Sequence, residues 1–251
     1  MEHVSQNDPK VVLVEPSPSE NSVDSNAEAE AKPKAKNFSK KQLTKRGIIH
    51  PGMQDMEVMN SFRNLRTSLL PKMGGDNSII LLSSILAGGG ASFNAINLAV
   101  AFTFDLHRNA LLIDCHFGKP SLAKKLGVEA EFGLYDYVTG RIDNIQKLVY
   151  PTAIPRLRLV PCGNIEGGGH IEYFTGEKMQ EFLHEVKNRY ANRVIILDTP
   201  PILDSADTSI LAELCDHVVL VMPYQKVSPS KIERTIKVID RDKVAGFILN
   251  N

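Results

Sequence analysis

Short runs dominated by Ile, Leu and Val recur along this chain, at Ser78–Leu82, Ala110–Cys115, Leu157–Pro161, Val194–Leu197, His217–Met222 and Val244–Leu249. They limit the fold more than any other feature. A strand wetted on one face alternates apolar with polar residues, whereas a continuous apolar run marks a strand covered on both faces. Between these runs lie segments with helical spacing, Phe93–Leu106, Lys178–Tyr190 and Ser230–Ile239. Strands alternating with helices build a mostly parallel sheet with helices on both faces, so the expected fold is a doubly wound α/β domain. A long amphipathic helix precedes the first strand, with Met56, Met59, Phe62, Leu65 and Leu69 on one stripe and Arg63 and Arg66 on its flank.

The first fifty residues read differently. They are rich in Ser, Asn, Glu, Lys and Pro, with Phe38 the one aromatic. Such a segment buries too little apolar surface to offset its ordering entropy, so residues 1–53 are expected to be a disordered tail and residues 54–251 the folded domain. Acids dominate the tail through Glu30; Lys32, Lys34, Lys36, Lys40, Lys41, Lys45 and Arg46 then follow without an acid between them. This basic tract reads as a solvated linker, with contact to anionic lipid as the alternative.

Composition removes several function classes. Twenty-nine Lys and Arg balance twenty-nine Asp and Glu, which argues against bulk nucleic-acid binding. No apolar run approaches the ~20 residues of a spanning helix. Met1–Lys10 has no apolar stretch of a secretory signal, and a cytoplasmic location is expected. Cys115, Cys162 and Cys215 are odd in number and each ends an apolar run, the pattern of small core fillers rather than of a disulfide or zinc framework.

In a sheet of this kind, ligands bind beyond the carboxyl ends of the strands. The first such turn runs from Ser83 through Gly88, Gly89 and Gly90 to Ser92 and opens directly into a helix. Strand, glycine-rich turn and helix form the layout of a phosphate loop, in which backbone N–H groups and the helix N-terminus face an anion. The strict pattern G-x-x-x-x-G-K-[ST] is not met, because Ile85 holds its first glycine position and Ala91 its lysine position. Asp114 and Asp198 each close an apolar run. With Ser92 they form a set suited to Mg²⁺ and its waters. A second glycine-rich turn, Cys162–His170, reads as a rim loop rather than a second phosphate cradle, since no Lys-Ser or Lys-Thr follows it.

These motifs together resemble the bacterial tyrosine kinase (BY-kinase) family, cytoplasmic partners of polysaccharide co-polymerases within the MinD/ParA group of P-loop ATPases. The family loop T-S-x-x-P-G-E-G-K-S aligns with Ser83–Ser92, followed in register by Asn97-Leu98-Ala99. L-L-I-D-A-D-x-R-x-P-S-L aligns with Leu111–Leu122, and I-I-D-T-P-P with Ile196–Pro201, its downstream S-D falling on Ala206-Asp207. The pre-loop helix E-x-F-R-x-L-R-T-x-L matches Asn60–Leu69, and the ending matches Val244–Asn250. The resemblance implies ATP or ADP with Mg²⁺ at Gly88, Gly89, Gly90, Ala91, Ser92, Phe93 and Asn250. It implies the metal at Ser92, Asp114 and Asp198, the two aspartates as the catalytic carboxylates, and Arg63 and Arg66 as an oligomer interface. It also implies a location at the inner membrane through a protein partner, the cytoplasmic segments of a polysaccharide co-polymerase.

The departures fall on the chemistry. Ala91 removes the lysine that contacts the β- and γ-phosphates, a charge-assisted contact worth ~1.5 to 3 kcal/mol and ~10²- to 10³-fold in rate. Ser83–Ala87 contains no lysine and Lys119 follows a different strand, so no other basic residue of the sequence is expected to replace it. His116 stands at the second aspartate of the second motif, Gly89 at the loop glutamate and Asn60 at the helix glutamate. No counterpart of the family's C-terminal tyrosine cluster is expected, the last tyrosine of this sequence being Tyr224. The sequence therefore reads as a catalytically degenerate BY-kinase-like partner of exopolysaccharide or capsule export that binds nucleotide weakly. A weakly active kinase and a MinD/ParA-like positioning ATPase are the alternatives.

Overall fold

The computed structural model describes residues 36–75, 77–165, 174, 176–189 and 192–250. Among the described residues, seven strands form one sheet in the order β3-β4-β2-β5-β1-β6-β7. They are β1 (Ile79–Ser84), β2 (Asn109–Asp114), β3 (Tyr150–Pro151), β4 (Leu157–Val160), β5 (Arg193–Asp198), β6 (His217–Pro223) and β7 (Val244–Asn250). All neighbours pair in parallel except β3 with β4. Every apolar run listed above became one of these strands, and all six residues of β1 are buried.

Alternation along the strands divides the core into two layers. Ile80, Leu82, Leu112, Val194, Ile196, Val219 and Val221 face one layer, while Ile79, Leu81, Leu111, Ile113, Ile195, Leu197, Val218 and Leu220 face the other. The first is covered by α1 (Lys40–Lys45), α2 (Met56–Leu69) and α3 (Ala91–Thr103). The second takes α5 (Leu134–Val138), α6 (Glu177–Arg189) and α7 (Ala206–Leu214). Two further helices, α4 (Leu122–Leu126) and α8 (Pro229–Lys237), follow β2 and β6. In α2 the expected stripe buries Met59, Phe62 and Leu69, while Met56 at its first turn is half exposed.

The expected domain boundary at residue 53 moves. Residues from Lys36 onward pack into the first layer: Leu43, Ile48 and Ile49 are buried there, and Phe38 packs against it. Ser39 caps α1 in a capping box with Gln42. Asn97, itself fully buried, holds the segment after α1 by accepting a hydrogen bond from the Ile49 N–H (2.8 Å) and donating to the Gly47 carbonyl (2.9 Å). The cause is local: four apolar side chains in a polar stretch suffice once a buried amide satisfies the backbone they carry with them. Residues 1–35, the rest of the expected tail, lie outside the described residues. So do Lys32 and Lys34 of the basic tract. Within the described part of that tract, Lys36 pairs with Glu129 at 2.8 Å, and Arg46 stacks over the Phe38 ring at 4.2 Å.

Ile49→Ala tests this placement. A tail residue would tolerate it, whereas a fully buried isoleucine loses about 2 to 5 kcal/mol on truncation. Urea unfolding followed by circular dichroism is expected to show the midpoint falling with an unchanged slope.

Candidate functional site

The site is assembled where β1, β2 and β5 end. Asp114 and Asp198 are direct partners in the register of β2 with β5, and alternation turns both toward the layer that holds α3. Leaving β1, the chain makes a tight turn in which the Gly89 N–H donates to the Leu86 carbonyl (3.1 Å). It enters α3 through Gly90, whose φ of +91° is left-handed, a conformation that glycine adopts without a Cβ penalty. Gly89 is required for a second reason: a Cβ there would run into the Ser84 hydroxyl. The glutamate of the resembled loop pattern thus cannot stand at this position unless Ser84 or the turn moves.

Three further contacts pin the loop. Ser84 Oγ donates to the Val221 carbonyl (3.1 Å) and accepts from the Leu86 N–H (3.3 Å). Asn250, expected to meet a nucleotide, instead donates to the Gly89 carbonyl (3.2 Å) and accepts from the Asn94 amide (3.2 Å), so β7 ties down the turn. Phe93 is partly exposed and packs edge-on against Phe62 with centroids 6.1 Å apart. Among the described residues, the N–H groups of Gly88, Gly90, Ala91 and Ser92 have no hydrogen-bond partner. They sit at the positive end of α3, a cradle suited to phosphate.

The two carboxylates do different work. Asp114 Oδ2 accepts from the N–H groups of Ser121 and Leu122 (both 3.0 Å), and Oδ1 from that of His116 (3.2 Å). Its carboxyl is therefore committed to the turn that starts α4. Burial raises its pKa, and these three amides oppose the rise. Asp198 is fully buried, and neither of its oxygens has a hydrogen-bond partner. Burial, and then the neighbouring Asp114 charge, push it up to about 7; the Ser92 hydroxyl opposes this, close by yet short of hydrogen-bond geometry. A buried carboxylate without partners beside a hydroxyl at a phosphate cradle is the donor set that a divalent cation completes. Ser92 and Asp198 fit Mg²⁺; Asp114 fits as the group behind them.

His116 does not restore the missing acid. Its Nδ1 accepts from the Lys119 N–H (3.1 Å), and burial lowers its pKa, so it stays neutral and braces the turn. Arg66 donates to the Ala101 carbonyl at the end of α3 (3.1 Å), and Arg63 lies 5.7 Å from the centre of the Phe104 ring. Both arginines thus have partners within this chain. The second glycine-rich turn is held by Asp136, which accepts from Gly133 (2.8 Å) and Asn164 (3.2 Å); its residues 166–170 lie outside the described residues. The cysteines are buried. No helix among the described residues is long and apolar enough to cross a membrane.

No protein-family model matches the chain. It is 29% identical over 197 residues to the tyrosine-protein kinase Wzc of Salmonella typhi, a match covering 77% of this chain and 27% of that protein's length. With the tyrosine-protein kinase CpsD of Streptococcus agalactiae the identity is 24% over 211 residues, 83% of this chain and 90% of the relative. Among solved structures, the VpsO kinase domain superposes with a TM-score of 0.67 at 26% identity over 78% of this chain and 96% of that one. The cell division ATPase MinD of Pyrococcus furiosus gives 0.58 at 23% identity over 69% and 72%, a likeness of fold.

Asp198 carries a pH prediction. An acid whose pKa is raised on folding costs stability as pH rises from its unfolded value, near 4, through its folded value, near 7. Asp198→Asn removes that cost, by no more than about 4 kcal/mol. The nucleotide-free variant is expected to melt above the parent at pH 8, with the gap closing toward pH 4. A gap that does not change with pH would sink the assignment.

Proposed function

The chain is a member of the bacterial tyrosine kinase family built on the MinD/ParA-type P-loop fold, and from that premise we propose that it acts by binding rather than by turnover. In this reading it is a catalytically degenerate, tyrosine-kinase-like partner that docks on cytoplasmic segments of an inner-membrane polysaccharide co-polymerase. It thereby helps to control assembly or export of an exopolysaccharide or capsule, as a cytoplasmic protein held at the membrane by that partner. The observation that carries the reading is Ala91 at the first turn of α3, a methyl group where a kinase needs a cation on the transferred phosphate.

Each residue then has a part. The N–H groups of Gly88, Gly90, Ala91 and Ser92 cradle phosphate. Ser92 and Asp198 hold Mg²⁺, and Asp114 fixes the turn beside them while raising the pKa of Asp198. Asp114 and Asp198 remain as the family's catalytic carboxylates, but without the lysine they hold a nucleotide more than they act on it. When bound, Mg²⁺ supplies charge neutralisation to the phosphates. His116, neutral and tied to Lys119, offers no carboxylate for metal or proton transfer. Arg63 on the flank of α2 is exposed apart from its contact with the Phe104 ring, and a homo-oligomer through that flank is part of this proposal.

A second reading keeps slow phosphoryl transfer, and the observation favouring it is the unpartnered Asp198 beside Ser92, which preserves a metal position. A MinD/ParA-like positioning role has only the fold in its favour.

Calorimetric titration with MgADP, paired with transfer of labelled phosphate from MgATP to tyrosine, separates these readings. The natural chain is expected to bind MgADP and transfer no label, while Ala91→Lys binds about 10- to 100-fold more tightly. Label on a tyrosine of the natural chain would overturn the binding-only reading and leave the second.

A further inference from the structure

The loop carries no lysine, and a lysine from another element lies beside the first turns of α3. We propose that Lys125, on α4, is the phosphate-facing cation of this chain, taking over across the fold the charge that Ala91 does not carry. The inference rests on the nucleotide reading above and names a residue that the loop pattern does not contain.

Lys125 and the first turns of α3 share a cavity of about 190 Å³, lined by Phe93, Ile96 and Asn97 from α3, by Lys125, and by Arg46, Gly47 and Ile48 from the segment after α1. Phe93 directly follows Ser92 in the first turn of α3, so one wall of this cavity begins one residue beyond the cradle. Of its two cations, Arg46 is committed: its guanidinium donates to the carbonyls of Lys124 (3.2 Å) and Lys125 (3.0 Å) and stacks on Phe38. The Lys125 ammonium has no hydrogen bond or ion pair among the described residues, and its charge is felt at Asp198.

The position of Lys125 is built at both ends of its short helix. Asp114 accepts from the N–H groups of Ser121 and Leu122 at the start of α4, and Arg46 takes the carbonyls at its end. One carboxylate of the second motif therefore fixes the element that carries the cation. An ammonium on a flexible four-carbon stem suits this task, because it needs no fixed fork geometry and can follow a phosphate as a point charge. The backbone segment from Arg46 to Ile48, held against α3 by Asn97, forms the other wall of the cavity, so the half-buried ammonium is partly shielded from bulk solvent.

The test is calorimetric titration of the full chain with MgADP, comparing the parent with Lys125→Met, Lys125→Arg and Lys124→Met, the last an exposed lysine on the same helix. Lys125→Met is expected to weaken binding about 10- to 100-fold, the range of a charge-assisted hydrogen bond. Lys125→Arg should keep most of the affinity and Lys124→Met should bind as the parent does. Adding Ala91→Lys to Lys125→Met should restore binding, and nucleotide-free melting temperatures should match throughout, so that a folding defect is told apart from a lost contact. If Lys125→Met binds as tightly as the parent, this inference falls and the nucleotide reading stands. If the parent itself gives no heat at millimolar MgADP, both fall.

Discussion

Because every residue of β1 is buried and strands flank it on both sides, the chain can leave its carboxyl end only by turning over the ends of its neighbours. That constraint organises the site. β5 lies on one side of β1 and β2 lies beyond it, in a register that pairs Asp198 with Asp114. The turn that escapes β1 must therefore deliver the N-terminus of α3 above two acids. Gly89, pressed against the Ser84 hydroxyl, and left-handed Gly90 are what let it turn tightly enough. Burying Asp198 without a partner is unfavourable. The surrounding apolar layers, by excluding water, both impose that cost and strengthen whatever cation relieves it.

Much of this was legible in the sequence because strands covered on both faces cannot hide. The Val194–Leu197 run became β5 with one extra residue at each end, and the glycine turn opened α3 where its composition said it would. Legibility failed where few residues carry the signal. Leu43, Ile48 and Ile49 are too sparse in a polar stretch to announce a folded segment, and their docking depends on Asn97, about fifty positions away. α4 and α5 are five residues each and β3 only two, below the length at which periodicity says anything. α7 packs Leu211 and Ala212 in a segment whose apolar residues show little one-sidedness.

The candidate site divides in the same way. The glycines, Ser92 and both aspartates stand out as strand-end residues, but their division of labour does not. That Asp114 is taken up by the amides of Ser121 and Leu122, and that Asn250 fastens Gly89, are tertiary facts. From the sequence no substitute for the loop lysine is expected, and the proposed part of Lys125 was hidden for the same reason: its place beside α3 is set by tertiary contacts of α4 with the segment after α1.

Losing the loop lysine and keeping Asp198 therefore differ in their energetic consequences. An alanine at the start of α3 is an excellent helix former, so nothing in the apo fold opposes Ala91. A buried, unpartnered carboxylate with its pKa near 7 is opposed continuously, and asparagine would relieve it. What offsets the cost is a ligand that binds the charged form, since such a ligand stabilises the native state by mass action and drives the proton off. The arrangement makes physical sense for a protein that still takes up a magnesium-bound nucleotide but no longer holds its terminal phosphate with a lysine from the loop. In the proposed reading, chemistry would be slowed at the step that needs that lysine, while occupancy of the cradle at the start of α3 would still be open to a partner.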